Sequence, residues 1–382
     1  MRMSAPPQIP TPIVARVSLA AWRHNFALLK AAAPQSRFLA VIKANAYGHG
    51  AIQAARTLAE AEAFGVARLG EGVELREAGV TKPIVLMEGV FSHEELALAL
   101  HYELDLVVHD ETQLRMLEER TRTAGAGADA PRVVWLKLDT GMSRLGFAPD
   151  RARNAAERLR TLPMVGDLRV MTHFACADKP DSSMTVEQID RFNSVIKEIN
   201  SLSSTHSSLV SCDSGLANSA AILQWPIAHR EWVRAGIALY GSSPILGRSA
   251  ESLGLKPVMT LSSRVIALRE LSPGQAVGYG ASWRASRRSR VATVAAGYAD
   301  GLLRSLPSGA PVLVAGRRAS LVGRVSMDMI TVDVTDLDDV QVGSEVVLWG
   351  EGLPVDEVAA AAGTISYELL CAVTRRVAFE YF

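Results

Sequence analysis

The sequence predicts an α/β protein, a TIM-like parallel (β/α)8 barrel followed by a mostly antiparallel β domain. Three observations predict it. Between about residues 12 and 245, eight short apolar runs alternate with amphipathic helical patterns, the number and order of a closed parallel sheet with crossover helices. A doubly wound open sheet would compete, but it wants a Gly-x-Gly-x-x-Gly turn after its first strand, and none follows that strand here. Beyond about residue 250 the rhythm changes to β-type segments joined by Gly and Pro turns. The expected division is a barrel over 12–248 and a β domain over 249–382, with room for residues 1–15 to pack on the latter.

The expected barrel strands are residues 38–43, 63–66, 83–87, 104–108, 133–138, 168–172, 209–212 and 232–235. Each is a short apolar run, as in strands covered on both faces. Residues 51–63, 94–102, 111–121, 150–161 and 186–199 carry the 3.6-residue apolar period of the connecting helices. The Gly/Ala stretch 124–130 and the Ser-rich run 201–208 read as surface loops, because the alternation resumes after each. In the second domain, residues 258–271, 291–296, 311–315, 329–334 and 345–348 read as strands, and 355–362 as a helix.

Composition narrows the function. Of 382 residues, 48% are apolar and 21% charged, enough for a packed core. Lys plus Arg balances Asp plus Glu at 40 each, which gives no electrostatic reason to expect a nucleic-acid or membrane partner. The arginines of Trp283-Arg-Ala-Ser-Arg-Arg-Ser-Arg290 read as a solvated loop. Three cysteines, Cys176, Cys212 and Cys371, lie too far apart for a Cys-x-x-Cys zinc motif or a disulfide framework. With a proline-rich start, no apolar signal core and no long apolar run, a cytoplasmic protein is expected.

Chemistry concentrates at the carboxyl ends of the expected strands, the functional face of such barrels. The first run, Phe38 to Ile42, ends on Lys43 and breaks into Tyr47-Gly-His-Gly50. A lysine partly desolvated at a strand mouth can lose its proton and attack a carbonyl to form a Schiff base. The same lysine can also simply reach out to solvent from a strand end. The fifth run ends in Lys137-Leu-Asp-Thr-Gly-Met-Ser-Arg144 and the sixth in Thr172-His173. Asn218-Ser219 opens a helix after the seventh, and Arg234-Ala-Gly-Ile-Ala-Leu-Tyr240 closes the eighth. His173 alone reads as a hydrogen-bonded lining residue. Together these groups make a mouth of Lys, Arg, His, Ser and backbone amides that suits a phosphorylated, anionic ligand.

The segment Val41-Ile-Lys-Ala-Asn-Ala-Tyr-Gly-His-Gly50 resembles the pyridoxal-phosphate (PLP) attachment segment of alanine racemases. The resemblance extends over Asp139–Arg144, Thr172–Asp178, Val233–Gly241, Gly278-Tyr-Gly-Ala-Ser-Trp283, Gly297-Tyr-Ala-Asp-Gly301, Gly323-Arg-Val-Ser-Met-Asp328 and Thr364-Ile-Ser-Tyr367, essentially the whole chain. It implies a PLP-dependent alanine racemase that interconverts L- and D-alanine by a two-base mechanism. The active form would be a head-to-tail homodimer whose sites are completed by the partner's β domain. Lys43 would carry PLP and act as one base; Tyr279 from the partner chain would be the other. Tyr47, Ser219, the backbone of Gly236 and Ile237, and Tyr367 would bind the cofactor phosphate. Arg234 would face the pyridine nitrogen with His173 behind it. Arg144 and the Met327 backbone would hold the substrate carboxylate, and Tyr298 and Tyr367 would narrow the entrance. Lys137 matches a position carbamylated in some relatives, and an ordinary barrel lysine paired with a carboxylate is the other reading. Ser326 stands where many relatives have cysteine, and Ala235 where a bulkier residue is common.

Three rivals share parts of this pattern. A PLP decarboxylase of the same architecture would lack the Gly-Tyr-Gly-Ala turn around Tyr279 and would place a carboxylate where Arg234 stands. A single-domain PLP-binding barrel of cofactor homeostasis would leave the last third of the chain unexplained. A metal-dependent hydrolase would want His-x-His ligands, and the sequence has none.

Overall fold

The computed structural model describes residues 11–124, 132–201 and 212–382. They divide into two units, one formed by Trp22–Leu255 and the other by residues 11–21 with Lys256–Phe382. Strand β1 (Val14–Val17), which the expected boundaries put at the start of the barrel, lies in the second unit. It pairs antiparallel with residues 259–262 and parallel with residues 378–381.

The first unit is a closed parallel barrel of β2 (Arg37–Val41), β3 (Ala63–Val66), β4 (Ile84–Leu86), β5 (Asp105–Val108), β6 (Arg132–Lys137), β7 (Val165–Met171), β8 (Ser214–Gly215) and β9 (Trp232–Ala235). Pairing of β9 with β2, Leu39 against Arg234, closes the ring. β3, β4 and β5 are buried at every residue, because helices cover one face and packed side chains fill the other.

Helices Ala51–Thr57, Leu69–Glu77, His93–His101, Glu111–Ala124, Pro149–Arg160, Ser183–Ser201 and Ser219–Gln224 connect the strands. In Pro149–Arg160 the buried Ala152, Ala155, Ala156 and Leu159 form a stripe at helical spacing, and Pro149 starts the helix where no N–H is needed. The Ser92 hydroxyl caps His93–His101 by accepting from the Glu95 N–H at 3.2 Å.

Two expectations shift. The first helix was expected to reach residue 63 but ends at Thr57, since Ala63 already belongs to β3. The seventh strand, expected at 209–212, is Ser214–Gly215; residues 209–211 lie outside the described residues, and Cys212 precedes the strand. Its two residues are buried but carry almost no apolar signal, so the nearby Leu and Val drew the assignment. The loop expectations at 125–130 and 202–208 and the reading of residues 1–10 also lie outside the described residues.

The amino ends of the barrel strands hold a charged layer. Arg169 stacks on Trp135 and Trp232, with its guanidinium 5.3 and 4.6 Å from the ring centres. Asp105 is 7% exposed; one carboxylate oxygen accepts the Val133 N–H at 3.3 Å and the other has no partner. Burial raises its pKa to about 6, against the weaker opposing pull of that bond and of Arg169, Arg132 and Arg76. The folded state therefore holds a proton that the unfolded chain has lost, and stability falls as pH rises from about 4 through 6. Asp105→Asn removes this falling limb. Urea unfolding should show the variant gaining on the parent by on the order of 2 kcal/mol between pH 4 and pH 7. A difference that stays flat with pH would mean Asp105 is ionised without penalty.

In the second unit, β10 (Met259–Leu271) bends at a register shift between Val265 and Ala267, pairing with β1 before the bend and β13 (Ser289–Val294) after it. Strands β14 (Pro311–Val314), β15 (Arg317–Leu321), β16 (Ile330–Asp333) and β17 (Glu345–Trp349) complete a six-strand ring in the order β10, β13, β16, β15, β14, β17. The ring is antiparallel throughout; β18 (Ala378–Tyr381), parallel to β1, extends it at the edge. A separate ribbon of β11 (Ala276–Val277) and β12 (Trp283–Arg284) is the base of a turn, so the arginine-rich segment 283–290 is strand at its first two residues and, in β13, at its last two. Helices Val355–Ala361 and Ser366–Ala372 follow β17.

Candidate active site

Lys43 lies just beyond β2, not in it. The strand ends at Val41, and Ala44, Asn45, Ala46 and Tyr47 all adopt left-handed backbone with φ of 51, 53, 53 and 50°. Four consecutive non-glycine residues in that region cost about 1–2 kcal/mol each, so the surroundings must hold the turn. Asn45 Oδ1 accepts the Ala51 N–H at 2.9 Å. The Tyr240 hydroxyl donates to the Val41 carbonyl at 2.8 Å, and its ring lies 4.6 Å from that of Tyr47. His49 is fully buried, and its Nδ1 bonds the Tyr47 carbonyl at 2.8 Å; burial lowers its pKa to about 4, so the neutral ring is the donor.

Beside this turn is a small cradle. Ser219 opens helix Ser219–Gln224, which Asn218 caps by accepting the Ala221 N–H. The Ser219 hydroxyl accepts the N–H of Gly236 at 2.8 Å and of Ala238 at 3.4 Å. A methyl group on Gly236 would come within 3.1 Å of the Tyr47 hydroxyl, so only glycine leaves this space open. Ile237 follows at the start of a short 3-10 turn. Tyr47, Ser219 and the backbone after β9 thus lie close together.

Arg234 on β9 is buried among carbonyls. Its guanidinium donates to Gly215 at 2.8 Å, Thr172 at 2.5 Å and Leu216 at 3.0 Å. Burial lowers its pKa to about 10, which leaves it charged at neutral pH. The His173 Nδ1 lies 3.4 Å from the same guanidinium and can only accept there, which places the ring proton on Nε2. Burial, then Arg234, Lys137, Arg144 and Lys43, push His173 well below its ordinary pKa. Burial, then Arg234 and Arg144, push the Lys137 ammonium down to about 8. Among the described residues Lys137 makes no ion pair, and Glu88 is the carboxylate whose pull on it opposes that fall.

Arg144 sits on a loop clenched by its own sequence. Asp139 Oδ1 accepts from Gly141 and Ser143, and Phe147 bonds back to Lys137 and Asp139. Gly146, at φ 133°, passes so close to Asp139 that a side chain would meet backbone at 2.4 Å. From the other side, buried Gln188 donates to the Thr140 hydroxyl and the His173 carbonyl. Gln188 was not singled out from sequence, where it looks like any polar residue on an amphipathic helix.

The remaining expected site residues lie in the second unit. Tyr279 is 70% exposed on the turn between β11 and β12, flanked by Gly278 and Gly280 at positive φ. Tyr298 and Met327 are brought side by side: the Tyr298 N–H donates to Ser326 and the Ala299 N–H to the Met327 carbonyl, both at 3.0 Å. Gly297 makes that approach possible, since a side chain there would lie 2.1 Å from the Met327 oxygen. The Met327 amide has no hydrogen bond among the described residues. Tyr367 stands half-exposed on Ser366–Ala372. Among the described residues no cluster of His, Cys, Asp and Glu is placed to hold a metal, and no helix is long and apolar enough to cross a membrane.

A parallel barrel whose mouth gathers Lys43, Lys137, Arg144 and Arg234 around a small cradle defines an enzyme for an anionic ligand. The chain belongs to the alanine racemase family. Residues 17–244 match the model of the alanine racemase N-terminal domain, and 258–381 that of the C-terminal domain. It is 49% identical to the alanine racemase of Nitrosospira multiformis over 96% of this chain and 98% of that one. It is 48% identical to the biosynthetic alanine racemase of Pseudomonas aeruginosa, whose crystal structure superposes with a TM-score of 0.90 over 97% of this chain and 99% of that one. The alanine racemase of Bartonella henselae, solved with covalently bound pyridoxal phosphate, is 27% identical with a TM-score of 0.86, over 98% of this chain and 100% of that one. The chain is accordingly an isomerase, an alanine racemase, with the barrel-plus-β-domain fold expected.

Proposed function

We propose that this racemase binds PLP covalently through Lys43 and works as a homodimer, with Lys43 on one face of the substrate Cα and Tyr279 of the partner subunit on the other. The observation that carries the reading is the convergence of four cations with the Tyr47–Ser219–Gly236 cradle at one end of the barrel. These residues fit PLP: hydroxyl and backbone groups of the kind that hold a phosphate meet at the cradle, and Lys43 offers a primary amine in the same turn as Tyr47. PLP, when bound, supplies a conjugated ring that delocalises the electron pair left when a proton leaves Cα.

The chain's own residues do the rest. Tyr47, Ser219, the Gly236–Ile237 backbone and Tyr367 hold the phosphate. Arg234, pinned by three carbonyls and still charged, offers hydrogen bonds to the ring nitrogen without giving up a proton. Arg234 would thereby leave a ring nitrogen unprotonated and limit electron withdrawal, and with it transamination and decarboxylation. His173 backs Arg234 as a neutral acceptor. Arg144 and the Met327 amide orient the substrate carboxylate. Lys43 Nζ and the Tyr279 hydroxyl then take and return the Cα proton from opposite faces, each worth roughly 10²–10⁴-fold. Tyr298 and Tyr367 leave room for a small side chain. With its pKa near 8, Lys137 has a neutral amine fraction that can add carbon dioxide, and the resulting anion would stand beside Arg144 and steady it.

Stripping the protein with hydroxylamine and reloading it tests this reading. PLP should restore racemisation of L-alanine. Pyridoxal, which lacks the phosphate, should restore about 10²-fold less at equal concentration. Reloading free of carbon dioxide should raise the KM for alanine, and bicarbonate should reverse that. Equal rescue by both aldehydes would contradict the phosphate cradle.

A further inference from the structure

The left-handed turn after Lys43 is tied to the rest of the barrel by one side chain that the family-based assignment of roles leaves unused. The Ala44 N–H, belonging to the peptide unit that directly follows Lys43, donates to Glu71 Oε1 at 2.5 Å. The other carboxylate oxygen of Glu71 accepts the N–H groups of Ala67 at 2.8 Å and Arg68 at 3.0 Å. Those two lie where the chain leaves β3 and enters helix Leu69–Glu77. One carboxylate therefore joins the mouths of β2 and β3, and all three groups facing it are donors.

We propose that Glu71 is a positioning residue for Lys43. Its carboxylate clamps the Lys43–Ala44 peptide and so fixes the point from which the Lys43 side chain reaches the substrate. The inference rests on Lys43 acting as the cofactor lysine and base, but the contact itself does not. The turn needs such a clamp. The other side-chain restraints named above act at Val41, Tyr47 and Ala51, whereas among the described residues Glu71 is the side chain that bonds the peptide next to Lys43. Only an acceptor-only group satisfies three donors at once, and a charged one makes the shorter, stronger bonds. Glutamine would turn an NH2 group toward at least one of them. Aspartate would keep the charge near the helix start but falls one methylene short of bridging both sides.

Two variants of the full-length protein, Glu71→Gln and Glu71→Asp, test the proposal. In protein freed of cofactor, hydrogen exchange over residues 38–50 should speed up about 10-fold in both. In the loaded enzyme kcat should fall about 10-fold, with the KM for alanine within about threefold of the parent, because misplacing a reacting group costs turnover more than binding. Exchange over residues 69–77 should stay at the parental rate in Glu71→Asp, which a pure helix-capping role would not separate. Unchanged exchange over 38–50 in both variants would overturn the clamp. Faster exchange there with unchanged kcat would overturn the positioning role. The exchange result does not depend on which lysine carries the cofactor; the kcat result does, and reductive labelling decides that point separately.

Discussion

Lys43→Ala is expected to abolish racemisation in both directions, a loss of at least about 10⁴-fold. On the proposed reading two functions would leave with one amine: the covalent anchor for PLP and the proton carrier on one face of Cα. The fold should not notice. Lys43 is only partly buried and makes no hydrogen bond or ion pair through its side chain among the described residues, so its removal takes no packing or pairing from the barrel. A thermal midpoint within about 2 °C of the parent is expected, in line with exposed substitutions. The cradle remains, so the variant should still take up PLP, reversibly. Residual racemisation within tenfold of the parent would mean another group serves as anchor and base.

The second large effect concerns subunit sharing. Tyr279 is 70% exposed on a glycine-flanked turn, an unusual place for a catalytic aromatic unless another surface covers it. In a head-to-tail dimer with twofold symmetry, each barrel mouth would meet the partner's β domain. Lys43→Ala and Tyr279→Phe should each be nearly inactive alone. After subunit exchange, each mixed dimer has one site lacking both groups and one intact. Random assortment makes about half the dimers mixed, so activity should recover to roughly a quarter of the parent. No recovery after exchange proven by mass spectrometry would mean that Lys43 and Tyr279 act within one chain.

Much of this was legible in the sequence, for reasons that differ by element. Ala63–Val66 and Trp232–Ala235 lie where expected because unbroken apolar runs between turns have few other uses in a closed parallel sheet. β8 was misplaced because Ser214 and Gly215 are buried without looking apolar. Helix Leu69–Glu77 went unseen because Gly70 and Gly72 depress helix propensity and an arginine, Arg68, stands at its cap. The pairing of β1 with β18 joins opposite ends of the chain, a register no local pattern encodes. At the site, Lys43, Arg144, His173, Ser219 and Arg234 could be ranked by their place at strand ends, but the roles of Tyr279, Met327 and Tyr367 came from resemblance alone. The left-handed turn was hidden for a physical reason: Ala-Asn-Ala-Tyr has no intrinsic wish for it, and the groups that enforce it, Glu71, Ala51 and Tyr240, come from elsewhere in the chain. Tertiary bonds, not propensity, set that backbone.

Borohydride reduction followed by peptide mapping identifies the lysine that carries the cofactor. Reduction fixes PLP to whichever amine holds it. A single labelled peptide spanning residues 38–50 is expected, with the phosphopyridoxyl mass on Lys43 and its loss when alanine analogues that compete for the cofactor are present. Label recovered instead on Lys137, a second lysine within electrostatic reach of Lys43, would mean that Lys43 is not the cofactor lysine.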